Sequence, residues 1–151
     1  MSQEIPIVWL RQLALNAPDA ILCSDRQGNI TFWNRGAESL FGVSEADALG
    51  RSLDLIIPER QQARHWEGYR QVMETGVTRY GTELLAVPAI HAGGRRLSVE
   101  FSIVLLRDDD GQPEGVAAIM RDATARREKE KAAIERLASL EAMVAEKSQT
   151  L

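Results

Sequence analysis

The sequence predicts an α+β domain: a five-stranded antiparallel sheet with short helices on one face, flanked by an N-terminal helix and a C-terminal amphipathic helix. Three observations predict it. Two short strand-like runs near the start, Ala20–Asp25 and Ile30–Asn34, are joined by a turn containing Gly28-Asn29. After a helical stretch, three more strand-like runs close the body. From residue 124 onward the composition changes to Ala, Glu, Lys and Arg, which favour helix.

The elements follow in order. Ile5–Ala17 reads as a short amphipathic helix with Val8, Trp9, Leu13 and Leu15 near one side, closed by Pro18. After the first two strands, Asn34 is placed to cap Arg35–Phe41, with Gly42 as the stop. Ser44 followed by Asp47 is close to a capping box, and Gly50 ends that turn. Ser52–Ile57 makes a brief apolar turn. Pro58–Thr75 is the longest helix of the body, with Pro58 in its first position and Gly76 as its stop. Its apolar stripe is Trp66, Tyr69, Val72 and Met73, and His65 borders that stripe one turn before Tyr69.

Thr82–Ile90 is the third strand, and Pro88 places it at a sheet edge because proline cannot donate to a ladder. Gly93-Gly94 turns the chain into Arg96–Arg107, where Leu97, Val99, Phe101 and Ile103 share one face. His91, beside that turn, reads as solvent-exposed. Asp108–Gly111 turns it again into Glu114–Arg121. In the tail, Ala133, Leu137, Leu140, Val144 and Leu151 recur in steps of three and four, broken by Lys147. An isolated helix of this length is marginal in water, so the seam needs a partner. It either folds back on its own body or forms a parallel two-chain coiled coil, the reading preferred here.

Composition bounds the function. The chain has 151 residues, 44% hydrophobic and 26% charged, which suits one soluble globular domain. A net charge of −4 argues against a nucleic-acid surface. The single cysteine, Cys23, excludes an internal disulfide and a cysteine-based zinc cluster. No signal-peptide pattern or long apolar run appears, so the expectation is a cytoplasmic protein with no membrane partner. Charge divides the chain. Residues 1–123 hold 12 basic and 17 acidic residues and no lysine, whereas residues 124–151 hold 6 basic and 5 acidic residues, including every lysine. Residues 1–17 therefore read as a flanking helix, 18–123 as the body, and 124–151 as the output helix. No catalytic motif is present: a lysine-free body cannot form a Schiff base, and no phosphate-binding glycine loop occurs.

Across residues 7–124 the chain resembles a PAS sensor domain. The carriers are Ala17–Ile21, Asp25–Ile30, Phe32–Glu38, Leu40-Phe41-Gly42, Gly50–Leu53, Ile57–Arg60 and Arg121–Thr124, all in the family's order. The resemblance implies the PAS fold and a sensor or dimerisation module within a larger regulator such as a kinase or cyclase. It implies a homodimer through the terminal helices and a downstream effector domain or partner protein. Asp122 and Thr124 resemble the family's junction between sheet and output helix; on a plainer reading Thr124 caps the tail helix and Asp122 pairs with a nearby arginine.

The resemblance also bears on cofactors. Flavin photosensors of the class carry a cysteine where this chain has Leu53, which argues against a flavin. Pro58–His65 is similar to the helix of oxygen-sensing haem PAS domains of the FixL class, whose iron-binding histidine falls at His65. That likeness implies haem b held noncovalently by His65, facing a wall of Leu85, Phe101 and Ile103, with Arg79 near a propionate and Tyr80 as a polar donor. Leu85 stands where the oxygen-sensing kinases have an oxygen-binding arginine. The alternative is an unliganded dimerisation or protein-interaction module with a filled core.

Overall fold

A computed structural model of the chain describes residues 3–78 and 85–150. The elements are α1 (Ile7–Asn16), β1 (Ala20–Asp25), β2 (Ile30–Trp33), α2 (Arg35–Phe41), α3 (Glu45–Ala48), a 3-10 turn (Leu53–Ile56), α4 (Glu59–Thr75), β3 (Leu85–Ile90), β4 (Arg96–Arg107), β5 (Pro113–Asp122) and α5 (Thr124–Gln149). The five strands form one sheet in the order β2-β1-β5-β4-β3, and every neighbouring pair is antiparallel. The predicted architecture is therefore observed. β3 is an edge strand, as Pro88 requires. Thr82–Leu84, predicted as its start, lie outside the described residues.

Strand alternation gives the sheet two faces. Ala20 and Leu22 of β1, Trp33 of β2, Ala89 of β3, Leu97 and Val99 of β4, and Val116 and Ala118 of β5 are buried. Ala37 and Phe41 of α2, Ala48 of α3, Leu53 and Ile56 of the 3-10 turn, and Tyr69 and Met73 of α4 join the same core cluster. The helices between β2 and β3 thus cover one face. The other face carries Val104 and Ile119 exposed, with Cys23 half-buried on β1.

Asn34 is the polar centre of this packing. It is 1% exposed. Its Oδ1 accepts from the Ile21 N–H (2.8 Å) and the Ala37 N–H (2.9 Å). Its Nδ2 donates to the carbonyls of Ala14 (2.9 Å), Asp19 (2.9 Å) and, more weakly, Ala17 (3.3 Å). One side chain thereby caps α2 and ties the end of α1 to the start of β1. Gly36 lets α2 come this close, since a Cβ there would sit 2.2 Å from the Asp19 carbonyl oxygen.

Several local expectations change. Pro58 stands just before α4 with ψ 140°, so the helix opens at Glu59. His91 is half-buried: its ring lies against Gly42 and its Nδ1 accepts from the Gly93 N–H at 3.0 Å. Neither α1 nor α5 has a buried residue. The tail does not fold back on the body, and the Val8, Trp9 and Leu13 stripe of α1 is exposed.

Removing the Asn34 side chain strands two amide donors and its carbonyl partners inside the core. Asn34→Ala is expected to cost about 3–4 kcal/mol, read as a lowered urea midpoint with an unchanged slope. A loss under about 1 kcal/mol would show that water replaces these bonds.

Candidate functional site

Three aromatic rings gather on α4. His65 stands edge-on to Trp66 with ring centres 4.7 Å apart, and lies 5.8 Å from Tyr69. Trp66 and Tyr69 are 5.5 Å apart, also edge-on. Two of the rings are anchored, each differently. The Trp66 indole N–H donates to Asp54 Oδ1 at 2.7 Å. The Trp66 ring covers Gly28, where φ is +83° and a Cβ would fall 2.1 Å from the indole. Gly28 thus satisfies both the turn and the close approach of α4. The Tyr69 hydroxyl donates to the Asp25 carbonyl at 2.5 Å, so the buried Ser24 hydroxyl, 2.9 Å away, donates to Tyr69. This bond pair latches α4 onto β1. Burial pushes the Tyr69 phenol upward, offset in part by the Ser24 bond and reinforced by the Asp25 charge.

His65 is the unanchored member. Its Nδ1 is inaccessible and has no hydrogen-bond partner, and the same holds for Oε1 of Gln61 one turn earlier. Burial pulls the imidazole below its ordinary value, against a smaller upward pull from Asp54. A neutral imidazole is the form that ligates a metal.

The predicted wall residues lie on the core side of the sheet. Leu85 and Phe101 are direct partners across β3 and β4, and Ile103 follows on β4 opposite Ala118. All three are half-buried, and Ile103 packs against the core. Arg79 and Tyr80 lie outside the described residues. Two hollows open at the surface. One, about 370 Å³, lies between the β1–β2 turn and α4 and is lined by Arg26, Gln27, Trp66, Tyr69, Arg70, Met73 and Glu74. The other, about 300 Å³, lies beside Asp19, Leu40, Met120 and Arg121. Neither is lined by His65, Leu85, Phe101 or Ile103. Among the described residues no group of three His, Cys, Asp or Glu could hold a metal ion. Cys23 has its thiol pushed upward by burial, which makes it a poor nucleophile.

A second constellation sits where the sheet meets α5. Thr124 is the first helical residue and does not cap α5, because its hydroxyl is engaged elsewhere: it accepts from the Ser98 N–H at 2.9 Å and lies 3.5 Å from the Ser98 carbonyl. The Ala123 N–H donates to that carbonyl at 2.8 Å. Asp122 makes no ion pair among the described residues; its Oδ1 accepts from the Thr124 N–H at 2.9 Å, a local turn two residues long just ahead of α5. The neighbouring Arg121 instead grips Asp19, with contacts of 3.1–3.2 Å, and Arg126 of α5 pairs with Glu100 of β4. Sequence reasoning found Asp122 and Thr124 but missed Ser98, and it missed the Tyr69–Ser24–Asp25 latch. Serines on strands give no signal of their tertiary partners.

A family model described as the PAS fold matches residues 15–128. The chain belongs to this family. It is 30% identical over 100 residues to the sensor protein FixL of Bradyrhizobium diazoefficiens, covering 64% of this chain and 18% of that one. It is 31% identical over 134 residues to the signal transduction histidine-protein kinase AtoS of Escherichia coli, covering 86% of this chain and 21% of that one. The chain thus spans about a fifth of the curated relatives it matches. Among solved structures, the PAS domain of a Colwellia psychrerythraea protein superimposes with a TM-score of 0.69 at 25% identity, over 80% of this chain and 99% of that one. An RNA-binding light-oxygen-voltage receptor aligns with a TM-score of 0.73 at 22% identity, over 92% of this chain and 40% of that one, a likeness of fold alone. The chain is a PAS sensory and signalling domain, and no helix among its described residues is long and apolar enough to cross a membrane.

Burial of His65 fixes the sign of a pH effect in this PAS domain. Its value in the folded state is below the unfolded value of about 6.5. Between the two, the unfolded chain holds a proton that the folded chain does not. The stability contribution is therefore whole above about pH 6.5 and is lost as pH falls through that value toward the lower one. Urea midpoints are expected to drop across this window, and His65→Asn to flatten the drop. An equally steep profile in the variant would assign the effect to other groups.

Proposed function

We propose that this PAS domain senses a change in its body, ligand- or redox-dependent, and relays it through Asp122–Thr124 into α5. The boundaries are residues 1–17 for the flanking helix, 18–123 for the sensing unit and 124–151 for the output helix. The observation that supports this reading is the double attachment of Thr124 to Ser98, which roots α5 in β4 rather than leaving it on a free linker. A shift of β4 against β5 then changes the direction of α5, a population shift if the signal binds the two arrangements differently. The exposed apolar residues of α1 and α5 support a homodimer through the terminal helices, with a downstream effector domain or partner protein in the cytoplasm. Thr124→Ala is expected to speed amide exchange about tenfold over the first turn of α5 while the core strands keep their protection. Unchanged exchange there would separate α5 from the sheet and sink the relay.

A second reading, noncovalent haem b at His65, is favoured by one observation: the buried, unpartnered Nδ1. When bound, haem would supply gas or redox sensitivity. His65 would offer the axial nitrogen, and Leu85, Phe101 and Ile103 the opposite wall, with Arg79 and Tyr80 near the rim. Neither of the two hollows is lined by His65, which stands edge-on to Trp66 on α4. Haemin titration tests this. A sharp Soret band that is lost in His65→Ala supports haem; a free-haemin spectrum at equimolar protein removes it and leaves the unliganded relay.

A further inference from the structure

We infer that the hollow between the β1–β2 turn and α4 binds a small aromatic monoanion, with its carboxylate between Arg26 and Arg70 and its ring on Trp66. This goes beyond the relay proposed above and does not depend on it. The place is also separate from the one weighed for haem, since His65, Leu85, Phe101 and Ile103 do not line it.

The walls are set in advance. The Trp66 indole is held from two sides, by Asp54 Oδ1 at 2.7 Å and by its packing over Gly28. Tyr69 stands edge-on to it at 68°, fixed by the bonds of its hydroxyl to Asp25 and Ser24. Met73, one turn further along α4, adds a buried thioether. Facing α4, Arg26 is steadied by its Nη1, which donates to the Pro113 carbonyl at 3.0 Å. A guanidinium has five N–H donors, so this bond leaves most of its fork for a ligand. A ligand entering here orders little beyond the Arg70 side chain, which keeps the entropy loss of binding small.

Charge decides what enters. Neither Arg26 nor Arg70 has an ion pair among the described residues. Asp25, next to Arg26, is engaged by the turn: its Oδ1 accepts the Gln27 and Asn29 N–H groups at 3.0 and 2.9 Å. Glu74, one turn after Arg70, makes no ion pair with it. Arginine before glutamate is the weaker order for such a pair. The negative end of α4 is covered by Arg107, whose Nη2 donates to the Gly76 carbonyl at 2.8 Å. Two guanidinium groups against the one Glu74 carboxylate leave the lining with one positive charge in excess. That excess matches a monoanion, whereas a phosphate dianion would bring a second charge against Glu74. A guanidinium suits a planar carboxylate, and an edge-on indole and phenol suit a ring. The hollow holds about 370 Å³ and opens at the surface, so an acid of one or two rings enters without a movement of α4. Bound there, it ties the β1–β2 turn to α4 beside the Tyr69 latch.

The test is a titration of the full chain with 2-naphthoate, followed by the indole N–H signals of Trp9, Trp33 and Trp66 in a proton–nitrogen correlation spectrum. Trp66→Phe assigns the signal. The Trp66 signal is expected to move in a saturable way while that of the buried Trp33 stays. Arg26→Gln and Arg70→Gln are each expected to weaken binding about fivefold, and 2-naphthamide, uncharged and of the same shape, to bind about tenfold more weakly than 2-naphthoate. Arg70 is exposed and bonds to nothing among the described residues, so its variant keeps the fold; circular dichroism checks Arg26→Gln. A Trp66 signal that does not move at millimolar 2-naphthoate overturns the site. Equal binding of 2-naphthamide, or binding that both arginine variants keep in full, overturns the role of the charge. Tighter binding of inorganic phosphate than of 2-naphthoate overturns the ligand class.

Discussion

The fold depends on one amide. A buried carboxamide must fill its hydrogen bonds or lose stability, and Asn34 fills them with groups from four places: the last turn of α1, the residues leading into β1, β1 itself and the first turn of α2. Because these segments are held by a single planar group, their relative positions are fixed together. Moving α1 strains the start of β1, and moving α2 strains both. The covered face of the sheet then follows, since α2 brings Phe41 against Trp33, with ring centres 5.5 Å apart, at the base of the core.

On α4 the constraint is weaker and uneven. Tyr69 and Trp66 are fastened to β1 and to Asp54, whereas His65 and Gln61 present buried polar atoms to nothing. A helix held firmly by two side chains and left unsatisfied at two others is the part of this core where a second arrangement would cost least.

Much of this was legible in the sequence, for local reasons. Asn34 before α2, Ser44 before α3 and the glycine stops after Phe41 and Thr75 are chemistry within one turn of chain, and they fell where expected. Pro88 marked an edge strand because its missing donor is a local fact. The strand β4 announced itself through alternation, and β5 through its apolar run from Val116 to Met120. What stayed hidden was tertiary. Nothing near Ser24 or Ser98 signals that a tyrosine from α4 or a threonine from α5 will reach them. His91 looked exposed because glycines surround it in sequence, yet it lies against Gly42 from another element. Thr124 looked like a cap because the helix begins there; the cap position is Ala123, Asp122 just before it accepts from the Thr124 N–H, and the threonine is used across the sheet. The helix of α5, by contrast, was legible from composition, and Leu137, Leu140 and Val144 of its expected seam are exposed along it.

The neighbouring placement of β1 and β5 has a further consequence. They run antiparallel, with Ala20 opposite Met120, so the chain arrives at β1 and departs from β5 at the same end of the sheet. The two points are one strand spacing apart, about 5 Å, and the grip of Arg121 on Asp19 closes the gap. α1 therefore enters the body and α5 leaves it at neighbouring points. A unit whose two ends lie side by side can be inserted into a longer chain without driving apart the segments on either side of it.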